Sequence, residues 1–167
     1  KTSLSESIVY FTKATARRGR VEDGTSVSDY SFDEIERKSS INLSLLYCDY
    51  KGTRIQILDT PGYADFFGEV ISGLRAVDSA VIVVDATAGV EVGTERAWQS
   101  VEEAGLPCII FINKADKEGV NIEKALQGVK DCLSKNATVI TSLNDPSLIE
   151  AVAESDDELL EKYLEEG

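Results

Sequence analysis

The sequence predicts an α/β fold with a mostly parallel central sheet and helices on both faces. Two short apolar runs, residues 80–84 and 108–112, alternate with longer segments of helical period, including residues 92–104. Parallel strands are connected by such helices, which then cover both faces of the sheet. The 167 residues, 43% hydrophobic and 28% charged, suit one globular domain large enough for a proper core.

The other elements are predicted from local patterns in chain order. Residues 43–50 and 54–58 predict the two strands of a hairpin, because Lys51-Gly52 between them favours a tight turn. Helical periods predict a first helix with an apolar face of Leu4, Ile8 and Phe11, and a helix marked by Val70, Ile71, Leu74 and Val77. Further along we expect a helix over 92–104 with Trp98 in the core, a helix over 122–133, a short strand over 137–140 and a final helix from Asn144.

Composition excludes several classes of function. The chain has no histidine, which rules out a Cys/His zinc site and any histidine-based catalysis. The net charge of −13 argues against this domain alone being a strong nucleic-acid binder. The apolar runs are too short to cross a bilayer. Three cysteines, Cys48, Cys108 and Cys132, lack metal-ligand spacing, so we expect reduced core thiols in a cytoplasmic protein.

Lys1-Thr2-Ser3 opens the first predicted helix. A lysine followed by a hydroxyl residue at a helix start is typical of the end of a phosphate-binding loop. The ammonium then reaches the β- and γ-phosphates, and the hydroxyl coordinates Mg²⁺. The alternative interpretation is an ordinary polar terminus.

Asp59-Thr60-Pro61-Gly62 follows the second strand of the hairpin. Ligands collect at the carboxyl ends of strands in α/β sheets. An aspartate there can hold Mg²⁺ through its water ligands, and the Gly62 N–H can approach a phosphate oxygen because no side chain blocks it. The alternative is an ordinary Pro-Gly turn.

Asn113-Lys114-Ala115-Asp116 follows the apolar run 108–112. Asp116 can accept hydrogen bonds from both N1–H and the 2-amino group of guanine, while the Lys114 stem lies along the base and Asn113 braces neighbouring loops. Adenine offers no such donor pair, so this segment favours guanine. The alternative is a polar strand-to-helix loop.

The order of these segments resembles that in the GTP-binding domain of elongation factor G, the translocation GTPase. It is most similar to factor-G-like paralogues that have tyrosine where others have the catalytic histidine. The phrases that carry the resemblance are 1–4 (KTSL), 19–24 (GRVEDG), 59–66 (DTPGYADF), 88–90 (AGV), 113–116 (NKAD) and 150–166. The resemblance implies the P-loop NTPase G-domain fold and a translational GTPase that binds GTP or GDP with Mg²⁺.

The resemblance also implies roles for particular residues. Lys1 and Tyr63 take the catalytic positions, and Ser40 aligns with a metal-binding threonine of the first switch, the polar loop 19–40. Thr2, Ser40 and Asp59 would therefore be the metal-binding set. An un-ionised phenol, with a pKa of about 10, is a poor proton acceptor, so Tyr63 predicts slow intrinsic hydrolysis.

Partners and boundaries follow from the same resemblance. It implies the ribosome as partner of the full-length protein and ribosome-stimulated turnover. The acidic segment 144–167 is either a solvated helix face or a docking helix for a basic ribosomal stalk protein. We expect a GTP-binding domain over 1–143, with further residues before Lys1, and an insert-region helix over 144–167.

Two other functions remain open. One is a GTP-dependent ribosome-binding regulatory module with little or no hydrolysis. The other is a P-loop ATPase or kinase, against which Asp116 argues.

Overall fold

A computed structural model of the chain describes residues 1–140, 146–153 and 157–166. The strands are β1 Ser44–Tyr50, β2 Thr53–Asp59, β3 Ala80–Asp85 and β4 Cys108–Asn113. The helices are α1 Thr2–Phe11, α2 Phe32–Arg37, α3 Phe67–Leu74, α4 Val92–Glu103, α5 Ile122–Cys132, α6 Pro146–Ala153 and α7 Asp157–Glu166. A short 3-10 turn, Ala64–Phe66, precedes α3.

Strands β1 and β2 form the predicted hairpin. They pair antiparallel from Tyr50 opposite Thr53 to Ser44 opposite Asp59. Lys51 and Gly52 both have positive φ, 49° and 83°, the conformation that a two-residue turn between twisted strands requires. The hairpin register therefore fixes where the Asp59 backbone lies.

Strands β3 and β4 pair in parallel, with Asp85 opposite Asn113 at their carboxyl ends. The hydrophobic core lies beside this sheet and joins strand and helix residues, namely Ile82, Val84, Val101 and Val129. Trp98 packs against this cluster, as predicted. In the described part of the chain, the four strands form two separate two-stranded sheets.

The buried face of α1 differs from the prediction. Phe11 is 75% exposed, and the buried residues are Thr2, Ser5, Glu6 and Val9. The predicted face was wrong because Glu6, although charged, finds enough hydrogen-bond donors in the following loop to be buried. Apolar periodicity cannot detect such a face.

The polar loop 19–40 contains a helix, α2, which the prediction lacked. Ser31 and Glu34 form a capping box: the Ser31 hydroxyl accepts from the Glu34 N–H, and the Glu34 carboxylate accepts from the Ser31 N–H. This S-x-x-E signature is visible in the sequence and could have identified the helix start.

Three expectations late in the chain need correction or qualification. Residues 137–140 form no strand: Val139 and Ile140 are half exposed, and none of the four described strands pairs with them. The final segment contains two helices, α6 and α7, and the predicted cap Asn144 lies outside the described residues. Cys132 is exposed, whereas Cys48 is buried. None of the helices described here is long and apolar enough to span a bilayer.

Candidate functional site

The start of α1 and the loop after β2 meet directly. The Lys1 ammonium donates a hydrogen bond to the Pro61 carbonyl, and a Cβ added at Gly62 would lie 3.7 Å from Lys1 Nζ. Although Lys1 as a whole residue is exposed, loss of water around its ammonium lowers the pKa, while the Asp59 carboxylate raises it. Two of the three predicted segments, 1–3 and 59–62, therefore lie together, and the Lys1 ammonium makes the contact between them.

The two hydroxyls predicted to bind metal are neighbours. Thr2 Oγ1 lies 3.1 Å from Ser40 Oγ, although the residues are 38 positions apart in sequence. Thr2 is buried in the first turn of α1, and Ser40 follows α2. The loop 19–40 thus closes back onto the start of the chain.

Asp59 is 4% exposed and contacts the loop 19–40, which also carries Ser40. Its Oδ2 accepts a hydrogen bond of 2.8 Å from Ser28 Oγ. Ser28 is itself held by Ser44, whose hydroxyl donates to the Ser28 carbonyl at 2.6 Å. The β1–β2 register, which places Ser44 opposite Asp59, therefore positions both partners.

Asp29 is a candidate site residue that the sequence analysis missed. It is 3% exposed, and neither of its carboxylate oxygens has a hydrogen-bond partner of normal geometry. Burial raises the pKa of Asp29, the neighbouring Ser40 hydroxyl lowers it, and the Asp59 charge raises it again. A buried, unpartnered carboxylate calls for a positive ligand, because burying an uncompensated charge is costly.

These oxygens fit a hard divalent cation. Two hydroxyls and the nearby carboxylates of Asp29 and Asp59 are the donors that Mg²⁺ prefers, with water completing its coordination. Throughout the described ranges, no three acidic, cysteine or histidine side chains converge on one point, so a cation bound here would need hydroxyl and water oxygens as ligands.

Glu6 holds the first half of the polar loop against α1. It is fully buried, and its Oε1 accepts from the Ser26 hydroxyl at 2.7 Å and from the Val27 N–H at 2.6 Å. Its Oε2 accepts from the Gly19 N–H at 3.0 Å. Glycine is needed at 19 because an added Cβ would overlap Glu6 Oε2. This carboxylate therefore anchors residues 19–27 to α1.

Glu34 holds the second half of the loop. Besides capping α2, its Oε1 accepts from the N–H groups of Ile41 at 2.9 Å and Asn42 at 3.0 Å. Burial would raise the pKa of Glu34, but the Asn42 and Ile41 donors outweigh it and hold the pKa below its ordinary value. The two residues that follow Ser40 are thereby fixed.

The segment 113–116 lies at the carboxyl end of β4. Lys114 has positive φ, 61°, and its ammonium donates to the Asp85 carboxylate at the end of β3. The third predicted segment is thus joined to the end of β3.

Comparison with known proteins identifies the family. The family model described as "Elongation factor Tu GTP binding domain" matches residues 1–166. The chain belongs to this family of GTP-binding domains. The prediction of a translational GTP-binding domain and the α/β fold prediction are therefore confirmed, and the similarity to paralogues with tyrosine in place of histidine stays a prediction.

Two relatives of this GTP-binding domain are named as an elongation factor and a ribosome-releasing factor. Elongation factor G 2 of Streptomyces coelicolor is 41% identical over 133 residues, which cover 80% of this chain and 19% of that protein. The mitochondrial ribosome-releasing factor 2 of Danio rerio is 39% identical over 140 residues, covering 84% of this chain and 18% of that protein. The chain thus spans about a fifth of the length of these relatives.

Solved structures agree with this assignment. A crystal structure from Thermus thermophilus superposes with a TM-score of 0.81 at 31% identity, covering 98% of this chain and 31% of that one. The elongation factor SelB of Methanococcus maripaludis, solved with the GTP analogue GppNHp, gives 0.53 at 29% identity over 55% of this chain and 21% of that one.

The GTP-binding domain brings some predicted site residues together and leaves others at the surface. Lys1, Thr2, Ser40, Asp59 and Pro61 are linked by the contacts above. Four other predicted residues are exposed or only flank the site: Ser3, Gly62, Tyr63 and Asp116. Thr60 is half buried beside Gly73. A Cβ added at Gly73 would lie 3.3 Å from the methyl group of Thr60.

Proposed function

We propose that the protein binds GTP and GDP with Mg²⁺ and hydrolyses GTP as a translational GTPase of the elongation factor G type. The observation that carries the proposal is the convergence of the Lys1 ammonium, the Thr2–Ser40 hydroxyl pair and the buried Asp59 carboxylate. Family membership over residues 1–166 supports the same function.

The metal-binding residues in this proposal are Thr2 and Ser40, with Asp29 and Asp59 accepting hydrogen bonds from water on the metal. The unpartnered oxygens of Asp29 are the specific support for this assignment. Bound there, Mg²⁺ neutralises charge on the β- and γ-phosphate oxygens. Because Ser40 is held between α2 and the Glu34-bound residues, metal binding also orders the loop 19–40.

The phosphate-binding residues are Lys1 and Gly62. The Lys1 ammonium exchanges the Pro61 carbonyl for phosphate oxygens, which carry full negative charge and make stronger hydrogen bonds. Loss of that contact frees the 60–62 backbone to turn the Gly62 N–H toward the γ-phosphate. Ser3 flanks this position at the surface.

The base-binding residues are Asn113, Lys114 and Asp116. Asp116 is exposed, so guanine reaches its carboxylate without displacing a neighbour. Its acceptor-only chemistry favours guanine over adenine, which argues against an ATPase or kinase.

Tyr63 decides how fast hydrolysis is. Its side chain is 63% exposed, and a neutral phenol orients water but accepts protons poorly. We therefore expect slow intrinsic hydrolysis that the ribosome accelerates. The same residue favours a second candidate, a regulatory module in which GTP acts mainly as a conformational ligand.

The proposed partners are the ribosome, contacted by the full-length protein, and a basic ribosomal stalk protein contacted by α6 and α7. In α7, Leu164 is 74% exposed within a strongly acidic sequence, as expected of a docking helix. The division into domains 1–143 and 144–167 and a cytoplasmic location belong to the same proposal.

Nucleotide competition and single-turnover hydrolysis test the proposal. Full-length protein should bind fluorescent GDP, with competition by GTP but not by ATP. Lys1→Ala should weaken binding strongly, whereas Lys13→Ala, at an exposed lysine just beyond the C-terminus of α1, serves as the matched control. Ribosomes should accelerate hydrolysis. Absence of binding, or equal competition by ATP, would refute the function, and binding without ribosome-stimulated hydrolysis would select the regulatory module.

A further inference from the structure

Asp85 makes an unusually complete set of contacts for a surface carboxylate. Its Oδ2 accepts the Lys114 ammonium, and its Oδ1 accepts from the Thr87 N–H at 2.9 Å and the Thr87 hydroxyl at 2.6 Å. Only 26% of its side chain is exposed, against 50% for Lys114. One oxygen is therefore fixed by its own loop, and the other is left to hold the lysine.

The backbone on both sides of this ion pair is also fixed. Asp85 lies opposite Asn113 in the β3–β4 register, and the Ala86 N–H donates to the Asn113 carbonyl at 2.8 Å. The Gly89 N–H donates a hydrogen bond to the Asp85 carbonyl at 2.8 Å. Hydrogen bonds therefore fix the backbone on both sides of Asp85, so its carboxylate keeps its position when the Lys114 side chain moves.

Lys114 needs such support. Its positive φ is uncommon for a residue with a side chain, and an unrestrained lysine samples many rotamers. A lysine that must lie along a base therefore binds better when it is already held in one place.

We propose that Asp85 is a positioning residue for guanine nucleotides: it holds the Lys114 side chain along the base-binding edge before the base arrives. This rests on the proposed function and extends it to a residue outside the phosphate, metal and base contacts. Lys114 and Thr87 hold the pKa of Asp85 well below its ordinary value, so the carboxylate stays ionised at any working pH.

The chain supplies a matched control for the test. Asp49 and Arg54 form a bidentate ion pair, with contacts of 2.9 and 3.0 Å, on the exposed hairpin rather than at the site. Asp85→Asn and Asp49→Asn therefore each neutralise one partner of a surface ion pair, and only the first acts on Lys114.

The experiment measures dissociation constants for fluorescent GDP on the full-length protein. Asp85→Asn should weaken binding about three- to tenfold, the range expected for one side chain immobilised on binding. Asp49→Asn should leave it unchanged, and Asp85→Glu should recover most of the loss. In a Lys114→Gln background, Asp85→Asn should add nothing. The preference for GDP over inosine diphosphate should be kept, because Asp116 reads the 2-amino group.

Several results would overturn the proposal. The first is a GDP dissociation constant of Asp85→Asn within twofold of the wild-type value. The second is an equal loss of GDP affinity when Asp85→Asn is made in the Lys114→Gln background. The third is a reduced preference for GDP over inosine diphosphate, which would indicate a disordered loop. If Asp85→Asn does not fold, Thr87→Val takes its place, with a smaller loss in the same direction expected and no loss overturning the proposal. Failure of wild-type protein to bind GDP would instead refute the proposed function.

Discussion

Asp29→Asn should stabilise the nucleotide-free protein while weakening its metal-dependent binding of GDP. The substitution keeps the shape of the side chain but removes a buried charge whose two oxygens have no hydrogen-bond partner of normal geometry. An unsatisfied buried group costs about 1–3 kcal/mol, and the neutral amide should recover about 1–2 kcal/mol of this. For a domain of this size that corresponds to a rise in Tm of about 2–8 °C.

The pH dependence follows from the direction of the Asp29 pKa. Burial raises this pKa above the ordinary 3.8, so the folded wild-type protein binds its proton more tightly than the unfolded chain. Above the folded pKa the Asp29 carboxylate is ionised, so the free energy of unfolding of the wild type is lowered by the full cost of burying that charge. The advantage of Asp29→Asn should be complete there, should shrink as pH falls through that pKa, and should vanish below 3.8.

Calorimetry without nucleotide or metal measures the first effect, and GDP titration at several Mg²⁺ concentrations measures the second. We expect about a tenfold loss of GDP affinity at saturating Mg²⁺, as for residues that orient metal ligands. Asp78→Asn, at an exposed aspartate, should change neither. A lower Tm for Asp29→Asn in metal-free buffer, or unchanged GDP affinity, would refute the assignment of this carboxylate.

Three further substitutions test other parts of the site. Glu6→Ala removes the acceptor of the Gly19 N–H, the Val27 N–H and the Ser26 hydroxyl and should cost about 3 kcal/mol in urea denaturation, whereas the exposed Glu102→Ala should cost under about 0.5 kcal/mol; equal costs would contradict the anchoring role. Glu34 has a depressed pKa, so its stabilisation is present above the ordinary 4.5 and is lost as pH falls through the folded value. The Tm of Glu34→Gln should accordingly fall less on acidification than that of the wild type, and parallel curves would count against this. Tyr63→His introduces a proton acceptor with a pKa near 6.5 and should raise ribosome-stimulated hydrolysis about 100-fold in single-turnover assays; an unchanged rate would mean that residue 63 does not orient the attacking water.

Local patterns were enough to predict much of the frame of the site. The Lys51-Gly52 turn and the apolar runs on either side correctly predicted the hairpin that ends at Asp59. The helical period over 92–104 likewise predicted α4 and the core position of Trp98. In each case the decisive neighbours lie within a few residues, which is the distance over which periodicity and turn chemistry act.

The acidic residues of the site could not be predicted in the same way. Glu6 is buried because its partners Gly19 and Val27 follow 13 and 21 residues later, and no local pattern contains that information. Asp29 lies in a polar loop where an aspartate is ordinarily solvated. Its burial depends on the closure of that loop, which is a property of the tertiary structure.

The two glutamate anchors divide the loop 19–40 into parts with different freedom. The amides of Gly19 and Val27 are bound to Glu6, and those of Ile41 and Asn42 are bound to Glu34. Hydrogen–deuterium exchange should therefore be slow at Gly19 and Val27, and at Ile41 and Asn42 just after the loop, even when nucleotide is lost. Release of GDP would then increase the mobility of residues 28–40 alone, and the segments bound to Glu6 and Glu34 would keep their positions.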